Sequence, residues 1–159
     1  MNRNLSDIMK KNLLSWNKNR ITLGKLIAEE SVNHFTLNFK KQGFVDSGVK
    51  KWKARKSKKD KGRGILIGKG SGRKLSRSIR TIKVTKRFII VGSNIKYAGV
   101  HNKGLRSGRG KGFTMPQRQF IGHSKALNRK IIKLIHRKLN QSFRSVSYTH
   151  LTLPTIYSV

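Results

Sequence analysis

The chain contains no cysteine. That excludes a disulfide framework and a thiolate zinc site, and it fits a reducing compartment. Acids are nearly as scarce. They are Asp7, Glu29, Glu30, Asp46 and Asp60, and none occurs in the last 99 of the 159 residues. Paired carboxylates for glycoside hydrolysis or for holding a hard cation therefore have little to draw on. A Ser-His-Asp arrangement would have to borrow its acid from the chain up to Asp60. Long apolar runs are missing too, so no bilayer span is expected. The opening MNRNLSDIMKKNLLSW scatters charge where a secretory signal needs a continuous apolar stretch, and no signal peptide is expected. Synthesis in the cytosol is the corresponding expectation.

What is abundant is positive charge. Lys and Arg number 38 against 5 acids, a formal net charge of +33. Such a balance asks for a polyanionic partner or for assembly against acidic surfaces, and nucleic acid is the default among them. It also repels itself, so marginal stability is expected until something neutralises it. With 35% apolar residues, the length allows one domain with one modest core.

Apolar spacing outlines the elements. Residues 20–41 place Leu23, Leu26, Ile27, Phe35 and Phe39 near one helical face, with Gly43 as the stop signal. A separate short helix is expected before it, around LSDIMKKNLLSW. From Lys50 to Arg63 there are nine basic residues and one acid, which reads as a mobile basic loop, with Trp52 its one aromatic residue. Residues 65–67 suggest a short strand and residues 74–80 one or two helical turns. TIKVTKRFIIVGS reads as a hairpin turning at Lys86 and Arg87, with Phe88 to Val91 the more buried strand. KYAGVHNKG suggests a short helix closed by Gly104, and LRSGRGKG a second flexible basic loop. The final helix carries Leu127, Ile131, Leu134, Ile135 and Leu139 at helical intervals, with Ser124 as N-cap.

The last stretch differs in kind. VSYTHLTLPTIYSV, from Val146 to Val159, contains no Lys, Arg, Asp or Glu. The codons GTC TCT TAT ACA CAT CTG ACG CTG CCG ACG of a transposase sequencing adapter translate to Val146–Thr155. Residues 145–159 are therefore expected to be read-through from such an adapter, leaving residues 1–144 as the domain and displacing the natural C-terminus.

Several catalytic patterns fail on spacing. In GILIGKGSGRKLS, Gly64 and Gly68 are three residues apart and Lys69 precedes Gly70, so no phosphate-binding P-loop forms. Gly68, Gly70 and Gly72 are evenly spaced with no acidic ribose partner after them, which excludes the dinucleotide fingerprint. His34, His101, His123 and His136 include no pair at helical metal-binding spacing. Ser93 and His101 lack a third, orienting group for nucleophilic catalysis. The basic loops suit phosphate backbones, but with few aromatics they do not suit base stacking.

The order of the pieces is more telling than any one of them. Phe39, Gln42 and Gly43 end a helix, and Trp52 follows. Then come GRKLSRSI, a hairpin ending VGS, the stretch YAGVHNKG, a basic loop, MPQRQFIGHS and a terminal helix. Over roughly residues 20–141 this resembles the phage virion morphogenesis family, the tail-completion and head–tail joining proteins of tailed bacteriophages. The matching positions are Gly92 and Ser93, then Tyr97, Ala98, His101 and Gly104, then Pro116, Arg118, Phe120 and Gly122. Gln117 and Gln119 depart from the smaller residues expected there, and the first basic loop is unusually basic.

The resemblance implies a non-enzymatic structural protein acting in tail completion or head–tail joining, without cofactor, metal or membrane. It implies neighbouring neck and tail proteins as partners and a homo-oligomeric ring on assembly. Host cytoplasm during assembly, then the neck or tail terminus of the virion, would be its locations. The expected fold is α+β: a long helix in the N-terminal half and a C-terminal helix packed on a small antiparallel sheet, with basic loops projecting. Candidate contacts to DNA or to a partner lie in the loop at about residues 47–64: Lys50, Lys51, Lys53, Arg55, Lys58, Lys59, Lys61 and Arg63, with Ser57 among them. The competing expectation, which explains the charge but not the order of motifs, is a nucleic-acid-binding protein of ribosomal or nucleoid type. In the framework reading, Gly92 serves a tight strand exit, Tyr97 buries its ring, Phe120 anchors a core or interface, and His101 is a hydrogen-bonding spacer.

Overall fold

A computed structural model describes residues 5–55, 63–68 and 74–147. The apolar spacing of residues 23–39 is not confined to them. One helix, α1, runs from Leu5 to Lys41 with no proline to break it. The separate short helix expected near the N-terminus is therefore the first part of α1. At 1.5 Å per residue its 37 residues span about 55 Å. Gly24 is the one glycine inside it, where a β-carbon would lie 2.9 Å from Val84 Cγ1. That close approach of a strand offsets the poor helix propensity of glycine.

Gln42, not Gly43, ends α1 by taking a left-handed φ of 52°. Gly43 already opens strand β1 (Gly43–Val45), which pairs antiparallel with β2 (Val49–Lys51). A β-carbon on Gly43 would sit 2.5 Å from the Lys50 carbonyl oxygen, so glycine is needed there for the strands to meet. A short helix α2 (Lys74–Arg77) leads into β3 (Ile79–Val84), which pairs antiparallel with β4 (Ile89–Ser93). The turn falls at Lys86 and Arg87 as the sequence suggests. Its first residue, Thr85, holds it: the hydroxyl accepts from Arg87 N and Phe88 N at 3.2 and 3.0 Å. Residues 65–67 form a turn, not the expected strand.

Helix α3 (Ala98–Lys103) closes at Gly104, whose φ of 71° suits a left-handed cap. The second basic loop is more ordered than its composition suggests. It forms a small hairpin of β5 (Arg106–Ser107) and β6 (Phe113–Thr114), turning through Gly108, Gly110 and Gly112, all at positive φ. Helix α4 (Lys125–Ser147) completes the chain. Ser124 caps it, its hydroxyl accepting from Leu127 N at 3.2 Å. Tyr148 and the residues after it lie outside the described residues.

The fold is α+β, as the sequence implies. Among the described residues the strands make three separate two-stranded antiparallel hairpins in place of one small sheet. Phe35, Phe39, Trp52, Leu75, Ile79, Ala98, Phe120 and Leu127 form the core, drawn from all four helices, from β3 and from the segments that carry Trp52 and Phe120. Among the described residues no helix is long and apolar enough to cross a membrane.

Candidate functional site

The residues between Met115 and Ser124 make no helix or strand, yet they are among the most tightly held in the molecule. Extended backbone cannot satisfy its own polar groups, so when buried it needs partners from elsewhere. Two asparagines supply them. Asn102, on α3, accepts from Phe120 N and Ile121 N at 2.8 and 3.0 Å and donates to the Ile121 carbonyl at 3.0 Å. Asn38, on α1 and fully buried, donates to the Phe120 carbonyl at 2.9 Å and accepts from Val45 N at 3.0 Å. Asn38 thus joins this strap to the β1–β2 hairpin across the helix. Between the two clamps Phe120, 1% exposed, packs on Phe39 with ring centres 5.1 Å apart.

Trp52 closes the other side. Its ring meets Phe39 edge-on at 5.4 Å, and its Nε1 donates to the Gln119 carbonyl at 2.7 Å. The sequence placed Trp52 in a mobile loop. It is buried because its backbone N donates to the Gln42 carbonyl at 3.0 Å, tying the loop root to the end of α1. Arg118 ties the same root from the strap side. Its guanidinium donates through Nε and Nη2 to the Lys53 carbonyl at 3.3 and 3.2 Å. Burial, then the charge of Arg55, pushes the pKa of Arg118 down.

Of the family-motif positions, His101, Gly104, Pro116, Arg118, Phe120 and Gly122 lie in or against the strap, whereas Gly92 and Ser93 lie in the β3–β4 hairpin. Gly92 does not serve a strand exit. It lies inside β4 opposite Arg80, and its missing side chain makes room for Ile82, whose Cδ1 would be 3.0 Å from a β-carbon. The Ser93 hydroxyl lies 2.6 Å from that of Ser78 and accepts from Ile95 N at 3.2 Å, so it holds a turn. Ala98 is a core residue. Tyr97 does not bury its ring; it is 45% exposed, standing edge-on to His101 at 5.8 Å. Gly104 faces Gln117, where a β-carbon would be 3.0 Å from the backbone nitrogen. Pro116 is half-buried at the start of the strap. At Gly122 a β-carbon would press on the flexible end of Gln119.

His101 contributes through its backbone: its carbonyl accepts from Arg118 N at 2.8 Å. Its ring Nδ1 is buried without a hydrogen-bond partner. Burial, reinforced by the Arg118 charge, lowers its pKa. His34 is similar. Its Nε2 lies 3.1 Å from the Val45 carbonyl, which can only accept, so the ring donates through Nε2 and leaves Nδ1 buried and unpartnered. Burial lowers its pKa, only partly opposed by that hydrogen bond.

Of the loop candidates, Lys50 and Lys51 stand exposed on β2, and Lys51 Nζ donates to the Lys41 carbonyl at 3.0 Å. Lys53 is exposed, and Arg55 reaches the Gly64 carbonyl. Arg63 is half-buried. Ser57, Lys58, Lys59 and Lys61 lie outside the described residues. The Gln42 amide exchanges hydrogen bonds with Ile65 N and the Ile65 carbonyl, closing the loop's far end onto α1. The loop therefore has two fixed roots. Among the described residues, no group of three or more His, Asp or Glu is placed to hold a metal ion.

Sequence reasoning missed the two asparagines. Asn38 carried a signal, a small amide on the apolar face between Phe35 and Phe39. Asn102 sat unremarked beside His101.

Comparison with known proteins gives one match. The model of the phage virion morphogenesis family covers residues 2–140. No curated protein and no solved structure matches the chain. The family match takes in α1, all three hairpins, the clamped strap and most of α4, so the chain belongs to the phage virion morphogenesis family and has its role in building the phage particle.

Proposed function

We propose that the chain is a non-enzymatic structural protein of tail completion or head–tail joining, working at the neck or tail terminus of the virion. The observation that carries this reading is the use made of the motif residues. Ser93, Arg118 and the His101 carbonyl all hold backbone in place, as does Asn102, which lies between His101 and Gly104. A motif that locks a strap to a helix and two hairpins makes a stiff body with defined faces, which is what assembly between neighbours requires. Copies of the chain would form a ring and meet other neck and tail proteins.

The basic loop is the proposed contact to DNA or to acidic neighbours. Its roots at Trp52 and Ile65 are fixed, so the cations beside them, Lys50, Lys51, Lys53, Arg55 and Arg63, are presented from a set position. Phosphate contacts of this kind give salt-dependent, sequence-independent attraction. They suit a protein near packaged DNA better than one that reads bases.

Electron microscopy of a lysate in which this gene carries an early stop codon tests the reading. Filled heads lying apart from tails are expected. Intact, infectious particles would refute the joining role and favour a nucleic-acid-binding protein of another kind. Glutamine in place of Lys50, Lys51, Lys53 and the loop lysines should weaken joining, and unchanged joining would remove the loop from the contact.

A further inference from the structure

The β3–β4 hairpin packs one face on α1 and leaves the other bare. Facing α1 are Val84 and Ile89, both close to Gly24, together with the buried Ile79. Strand alternation then turns Arg80, Lys83 and Ile90 outward, since Arg80 pairs with Gly92 and Lys83 with Ile90. The register shifts between Thr81 and Lys83, and Ile82 at that bulge lies over Gly92 on the same outer side. Phe88 joins them, its ring 5.8 Å from Lys83 Nζ. The result is an apolar centre of Ile82, Phe88 and Ile90, exposed by 59%, 49% and 43%, with Arg80, Lys83, Lys86 and Arg87 around it.

We infer that this face docks a surface of another virion protein that is apolar at its centre and acidic at its rim; the inference rests on the assembly role proposed above. Charge decides between the occupants. A second copy meeting the first through this face would set two rims of cations against each other, and one meeting it through another face, as in a ring, would have few acids to offer the rim. The chain has 5 acids against 38 Lys and Arg, and of these Glu30 is paired with Lys130 at 2.7 Å and Asp46 accepts from Lys125 N at 2.6 Å, so no copy carries an acidic rim to match this one. DNA fits the rim but not the centre, because three apolar side chains gain nothing against phosphate. An apolar centre inside a polar rim is the anatomy of a protein interface. The bulge disrupts the β3 ladder, and bulges of this kind discourage strand-to-strand addition, so the contact is through the face and not the edge.

Two measurements on the full chain test this. In the first, Ile90 is replaced by photoreactive benzoylphenylalanine, and the protein is crosslinked in infected cells. The expected adduct is on a different virion protein, in a segment where Asp or Glu flank apolar residues. An adduct to a second copy, an adduct to DNA, or no adduct would overturn the inference. In the second, the stop-codon phage is complemented with Ile82→Ser/Ile90→Ser. Infectious titre should fall about tenfold or more, as for loss of central interface residues. Arg80→Glu/Lys83→Glu removes no apolar core atom and should give the same loss, so it replaces the first variant if that one fails to fold. Full titre with both variants overturns the docking face while leaving the joining role intact. If the stop codon itself costs no titre, the joining role fails instead, and the crosslink still decides the docking face.

Discussion

The hairpins β1–β2 and β3–β4 are both two-stranded, both antiparallel and both packed on α1, yet they are held by different means. β1–β2 is fastened by polar groups. Asn38 accepts from Val45 N, while His34 and the Ser124 hydroxyl, at 2.8 Å, share the Val45 carbonyl, and Asp46 takes the first N–H of α4. β3–β4 is held on α1 by apolar contact along its length and by one hydrogen bond at its turn, from the Arg20 guanidinium to the Lys86 carbonyl at 2.8 Å; among the described residues nothing covers its other face. Polar fastening fixes position and orientation, because a hydrogen bond is directional and a buried group left without its partner is costly. Apolar contact fixes proximity and leaves the far face available. The first hairpin is therefore framework, and the second is surface for others.

The contrast can be broken most forcefully at the strap that the first hairpin shares. Phe120→Ala should cost about 3–5 kcal/mol, since it removes a buried ring and leaves a cavity beside Phe39 and Trp52. Urea unfolding would show it, and a loss under 1 kcal/mol would mean that the strap is not the keystone described. Asn38→Ala comes next, at about 2–4 kcal/mol, because Val45 N and the Phe120 carbonyl both lose a buried partner. If the loss matched that of an exposed substitution, polar fastening would be the wrong description of β1–β2.

Acid should separate the hairpins too. His34 and His101 have pKa values lowered from 6.5 by burial, so the unfolded chain binds protons that the folded chain refuses. Their penalty is absent above the unfolded value and grows as pH falls below it, so melting temperature should drop as pH falls from about 7 toward 5. His34→Gln should flatten part of that slope, and an unchanged slope would assign it to other groups. The smallest effect belongs to the second hairpin. Ile90→Ser should change stability by no more than about 0.5 kcal/mol, as surface changes do. A loss several times larger would mean that the outer face of β3–β4 is part of the core.

The same contrast explains what the sequence made legible. The second half of α1, helices α3 and α4, the turn at Lys86 and Arg87, the Ser124 cap and the Gly104 stop are local, and spacing reveals them; the continuity of α1 from Leu5 escaped it, because its first turns carry no clear apolar face. Phe120 could be picked out because an aromatic residue in a short motif is conspicuous. Trp52 was misplaced because its partners are distant in sequence: Gln42 holds its backbone, Phe39 meets its ring, and the carbonyl that its indole reaches is at Gln119, 67 positions away. The burial given to Phe88–Val91 failed for Phe88 and Ile90, because a run of apolar residues reads as buried whether or not anything covers its second face. Asn38 and Asn102 were silent because an amide looks the same in a sequence whether it faces water or clamps a backbone.

The length of α1 has a mechanical consequence. From Arg20, which donates to the Lys86 carbonyl, to Lys41 it is gripped by the strap, the first two hairpins and α4. Toward the other end Met9, Leu13 and Leu14 are 64%, 61% and 71% exposed. A rod held near one end is a lever: a slight tilt at the grip, as when a neighbour seats against the strap, becomes a much larger sweep at Met9. A contact made at the strap is in this way felt at the far end of the helix.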